Sequence, residues 1–93
     1  MHFRIVVLSS DKYAEDEKYE IREKLQKRVK ADYIDFMESY TPVRFEYCFK
    51  EKEYVWYTFI YEKGKLKYLG LGLVLPQKWE EKYETVLVYD AHI

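Results

Sequence analysis

Cysteine, glycine, proline and histidine are scarce in this sequence, and asparagine is missing altogether. The one cysteine, Cys48, cannot close an intrachain disulfide or anchor a cysteine-rich zinc site. That excludes disulfide-stapled and zinc-finger scaffolds and points to an intracellular, cytoplasmic setting. Three glycines and two prolines in 93 residues leave no linker, repeat or low-complexity segment. No apolar run approaches the ~20 residues of a membrane span. The N-terminal Phe3-Arg4-Ile5-Val6-Val7-Leu8 has no small-residue cleavage site after it and reads as a strand, so no membrane association is expected. An excess of one charge is lacking too. Sixteen basic residues stand against seventeen acidic ones, for a net charge of −1, which removes the global field of a nucleic-acid or anionic-membrane binder and leaves only local patches.

What is plentiful is apolar and aromatic surface. Hydrophobic residues make up 48% and aromatics 19%, with eleven tyrosines. That is enough burial to offset the ordering entropy of one domain, residues 1–93. Lysine and glutamate dominate the polar positions, the composition of proteins from hot environments.

Along the chain, Phe3, Ile5 and Val7 alternate with Arg4, Val6 and Leu8 in a first strand that ends at Ser9-Ser10-Asp11, residues that cap helices. Ile21, Leu25 and Val29 then recur at four-residue spacing, with Glu15, Asp16 and Glu17 early and Lys24, Lys27, Arg28 and Lys30 late, as a helix dipole favours. Phe36, Met37 and Tyr40 extend this pattern, so one long helix is expected from Asp11 to Tyr40, kinked near Ala31-Asp32 and ended by Thr41-Pro42. Val43, Phe45, Tyr47 and Phe49 alternate with Arg44, Glu46, Cys48 and Lys50 and predict a strand. A turn at Glu51-Lys52, a strand from Tyr54 to Tyr61, a tight turn at Lys63-Gly64 and a strand from Leu66 to Leu75 complete an antiparallel meander. Pro76 opens a short helix over Gln77 to Tyr83, and Thr85 to Tyr89 is a fifth strand. The expected fold is α+β: a five-stranded, mainly antiparallel sheet with one long and one short helix, in the order β-α-β-β-β-α-β, a variant of the ferredoxin-like sandwich.

Two-residue turns fix a register for this meander. Tyr47–Trp56, Phe45–Thr58 and Trp56–Leu71 then fall on a core face against Ile21, Leu25, Val29 and Phe36 of the long helix. The opposite face collects Glu46, Val55, Tyr57, Phe59, Tyr61 and Tyr68, with Gly70 opposite Tyr57 and Gly72 opposite Val55. Such an aromatic face exceeds what a monomer leaves in water. Either the chain covers it with the helix carrying Trp79 and Tyr83, or a dimer mate or protein partner does, or nucleic-acid bases stack on it.

Catalytic groups are thin. His2 and His92 sit at opposite ends and approach only if the first and fifth strands are neighbours, and together they fall short of a metal site. Cys48 has no expected base beside it. Glu80-Glu81-Lys82 matches the Glu-x-Lys fragment of metal-dependent nucleases but falls in a helix without a partner aspartate. Gly70-Leu71-Gly72 lies inside an apolar strand, not in a phosphate-cradling loop. No catalytic residue, metal ligand or cofactor is expected, and the expected activity is binding.

The helix from Asp11 to Tyr40, the meander from Val43 to Leu75 and the Lys/Glu/Tyr-rich composition resemble the small proteins of hot-spring archaeal viruses. In layout the chain is similar to the rudiviral anti-CRISPR proteins, dimeric α+β inhibitors of type I-D effectors. The resemblance covers the whole chain and contains no diagnostic motif. It implies a non-enzymatic inhibitor in the host cytoplasm that forms a homodimer and binds a CRISPR effector subunit, and it carries over no functional residue; the residue pattern itself offers the face of Tyr57, Phe59, Tyr61 and Tyr68 for that contact. The alternative is a single-stranded nucleic-acid-binding module that uses the same rings.

Overall fold

A computed structural model of the chain describes residues 1–48 and 54–93, with side chains placed for 1–46 and 54–93. Its elements are β1 (His2–Ser9), a 3-10 turn (Ala14–Glu17), α1 (Lys18–Arg28), β2 (Tyr33–Tyr40), α2 (Pro42–Cys48), β3 (Trp56–Glu62), β4 (Lys65–Leu71), α3 (Trp79–Lys82) and β5 (Thr85–His92). The strands form one five-stranded sheet in the order β2-β5-β1-β3-β4. β1 runs parallel to β3, and the other three pairings are antiparallel. The fold is thus α+β with a mainly antiparallel sheet, as expected, although the elements run β-α-β-α-β-β-α-β.

The central strands read as unbroken apolar runs because the sheet is covered on both faces there. Ile5 to Leu8 and Val86 to Tyr89 are all fully buried. On one face Ile5, Val7, Leu87 and Tyr89 pack with Ile21 and Leu25 of α1. On the other, Val6, Leu8, Val86 and Val88 pack with Phe45 of α2 and Trp79 of α3. The connection from β1 to β2 crosses β5 on the α1 face; that from β2 to β3 returns across β5 and β1 on the α2 face. Opposite directions on opposite faces give the two crossovers the same hand.

Three expectations are corrected. The helix does not continue to Tyr40: α1 stops at Arg28, Val29 is extended, and residues 33–40 form an edge strand pairing Ile34 with Ala91 and Phe36 with Tyr89. Ala31-Asp32 is a break, not a kink. The helix also starts late, because Asp11 accepts a bond from the Tyr13 amide at 2.8 Å and forms a turn before the 3-10 segment.

Val43 to Cys48 is helix, not strand, so the meander is one hairpin, and the vacated place beside β3 is taken by β1. Thr41 supplies the reason: its carbonyl accepts from Phe45 N at 2.9 Å and its hydroxyl from Arg44 N at 3.4 Å, with Pro42 in the first turn. Phe49, Lys50 and the turn at Glu51-Lys52 lie outside the described residues, as does the side chain of Cys48.

The register of the hairpin differs in part. It is as expected from the turn up to Phe59–Tyr68 and then slips by one residue at Leu69, so that Thr58 pairs with Gly70 and Tyr57 with Leu71. The long helix also lies on the other face from the one expected: Phe59 and Tyr61 face α1, while Trp56 lies under α2 and α3. The turn at Lys63-Gly64 is as expected: φ is +50° and +76° at its two central residues, the type I′ pattern that suits strand twist.

Candidate binding surface at the uncovered end of the sheet

α1 covers only part of its face. Val55, Tyr57, Phe59 and Tyr61 alternate along β3 and its approach, and Tyr68 stands opposite Phe59, so five of the expected residues do share one face. Phe59 and Tyr61 are buried under the helix, at 3% and 2% exposure. Tyr61 is further fixed by donating to Glu17 Oε1 at 3.2 Å. Burial, with the Glu17 carboxylate beside it, pushes the Tyr61 phenol up to about 12.

The other half is open. Val55 is 52% exposed, Tyr68 43% and Leu71 64%, and Tyr57 is half-buried beside them. The rings touch: Phe3 meets Tyr57 edge-on at 5.2 Å, and Tyr68 lies 6.3 Å from Tyr57 and 5.2 Å from Phe59. Three of the expected residues are elsewhere. Gly70 stands opposite Thr58, whose neighbours in β3 carry the aromatic face; Gly72, at φ +92°, turns the chain out of β4; Glu46 is exposed on α2.

A cavity of about 240 Å³ opens between these rings and the end of α1, lined by Phe3, Tyr57, Phe59 and Tyr68 together with Arg28, Val29, Lys30 and Ile93. Arg28 is held there by donating to the Leu66 carbonyl at 2.7 Å, with its guanidinium 5.9 Å from the Phe59 ring centre. The same arginine lines an adjoining hollow with Lys24, Lys27 and Lys65. These cations come from two stretches free of acidic residues, 24–30 and 63–68. Their convergence with the aromatics was not read from the sequence, although the acid-free stretches were the signal for it.

The two histidines do meet. His2 pairs with His92 across β1 and β5, with ring centroids 4.5 Å apart, and Tyr33 stacks on His92 at 5.0 Å. His2 Nδ1 lies 3.0 Å from Asp90, whose other oxygen bonds Arg4. Among the described residues no group of three or more His, Cys, Asp or Glu side chains is placed to hold a metal ion. Glu80 and Glu81 are exposed on α3. No helix among the described residues is long and apolar enough to cross a membrane. No protein-family model, curated protein or solved structure matches the chain.

Proposed function

We propose that this chain is a non-enzymatic binding protein that docks its partner on the uncovered end of the α1 face. The observation that carries this reading is the contiguous set Val55, Tyr57, Tyr68 and Leu71, which share one sheet face and stay open where α1 stops. Aromatic and aliphatic side chains with a cationic rim have the make-up of an interface core.

Two occupants are open to such a face, a protein partner or a single-stranded nucleic acid, and an ordinary protein interface needs ~800 Å² on each side. Met1 and Ile93, exposed beside Val55 and Tyr57, add apolar area to the surface. A second copy of the chain and the effector subunit implied by the viral resemblance are the two protein candidates.

Tyr68→Glu with Leu71→Glu tests the reading, since both side chains are exposed and the fold should survive, as circular dichroism would verify. The double variant should lose self-association in light scattering and lose binding to a purified type I-D effector subunit and to single-stranded oligonucleotides. A folded variant that keeps every contact made by the wild type overturns the surface.

A further inference from the structure

We infer that the occupant of this surface is a single-stranded nucleic acid, with one unstacked base lodged in the ring-lined cavity and its phosphates running along the last turns of α1. The inference rests on the binding reading above and names the chemistry of the partner. The cavity, at about 240 Å³, falls below the ~300–1,000 Å³ of sites for drug-sized ligands, and four of its eight lining residues, Phe3, Tyr57, Phe59 and Tyr68, are aromatic and can stack on a flat base. Tyr68 offers an exposed ring, steadied by Phe59 at 5.2 Å behind it.

The rim then selects for charge. Arg28 and Lys30 border the ring cavity, and Arg28 also borders the hollow of Lys24, Lys27 and Lys65, so one residue joins the base site to the cationic track. The four cations on 24–30 lie within seven consecutive residues that include no carboxylate, although the whole chain is slightly acidic. A phosphate backbone beside an aromatic pocket satisfies both halves; a neutral apolar partner would leave the cations desolvated without counter-charge. The bonded guanidinium of Arg28 is preorganised for this, since its fork retains further N–H donors beyond the one given to Leu66. A duplex keeps its bases stacked and presents nothing to the cavity.

The test uses the full chain with fluorescent 12-nucleotide single strands of mixed sequence, as RNA and as DNA, and a duplex of the same length as competitor. Single strands should bind at low salt and weaken with a log–log salt slope of about −2 to −3, from three to four phosphate contacts at ~0.7 each. Tyr68→Ala should weaken binding by about 5- to 150-fold, the value of one stacked base, whereas Tyr68→Phe should preserve it. Lys27→Glu with Lys30→Glu should weaken it and flatten the salt slope, and the duplex should compete poorly. Absence of oligonucleotide binding at low salt, or binding that both the Tyr68→Ala and the lysine variants leave intact, overturns the nucleic-acid assignment. Binding that persists in Tyr68→Glu with Leu71→Glu overturns the docking surface itself, so the two failures are separable.

Discussion

Thr58 is fully buried, and its hydroxyl holds down the chain after β4: it donates to the Gly72 carbonyl at 2.6 Å and accepts from the Val74 amide at 3.0 Å. Thr58→Val keeps the shape and deletes both bonds. It should cost about 1–3 kcal/mol, read as a lower urea midpoint with an unchanged slope. Tyr61 makes a second prediction at this scale. Its phenol is raised from 10.0 to about 12, chiefly by burial and then by Glu17. Below pH 10 the phenol is protonated in both the folded and the unfolded chain, so its stabilising contribution is complete. Between pH 10 and pH 12 the unfolded chain releases the proton first, and stability falls as the pH rises. Tyr61→Phe should remove part of that alkaline loss in urea titrations at stepped pH. The remainder belongs to Tyr89 and Tyr83, whose phenols burial also pushes up.

Among the elements, the β3–β4 hairpin gives a prediction of opposite signs. Lys63 has φ +50° without being glycine, so Lys63→Asn should stabilise the chain by about 0.5 kcal/mol; Gly64, at +76°, should cost about 1 kcal/mol as alanine, both measured by thermal unfolding. This turn was legible because Lys-Gly between two apolar runs has few other uses. β1 and β5 were legible for a related reason: their apolar runs suit strands buried on both faces. The stretches 33–40 and 42–48 were not, and each took the other's form. Phe36, Met37 and Tyr40 happen to continue the helical spacing of Ile21 and Leu25, but the edge of β5 needed a partner there. Val43, Phe45 and Tyr47 alternate as a strand does, yet the Thr41 cap and Pro42 start a helix that brings Phe45 between Trp56 and Trp79, with ring centroids at 6.3 and 6.1 Å. Both errors come from tertiary partners that a single-sequence period cannot see. The face shared by Val55, Tyr57, Phe59, Tyr61 and Tyr68 survived them, because alternation within β3 does not depend on which neighbour β3 pairs with. The cover over half of it depended on α1 lying across that face, which local pattern did not reveal.

At the scale of the whole molecule, the two helical layers share the same two central strands. Ile5 and Val7 serve one layer, Val6 and Leu8 the other, so neither side can be lost while its neighbour stays intact. Urea unfolding followed by tryptophan fluorescence, which reports Trp56 and Trp79 in the α2–α3 layer, should therefore coincide with unfolding followed by tyrosine near-ultraviolet dichroism, which is weighted toward Tyr61 and Tyr89 under α1. Midpoints that separate would mean that the layers melt independently. The pairing of β1 with β5 also orders events during synthesis. Residues 2–9 emerge first and residues 85–92 last among these elements, yet they lie side by side, Phe3 against Ala91 and Ser9 against Thr85. At roughly 5–20 residues per second on the ribosome, β1 waits several seconds with an apolar edge unmatched. The native sheet can close only after translation has passed residue 92, which makes the nascent chain a natural client for whatever shields hydrophobic segments in its cell.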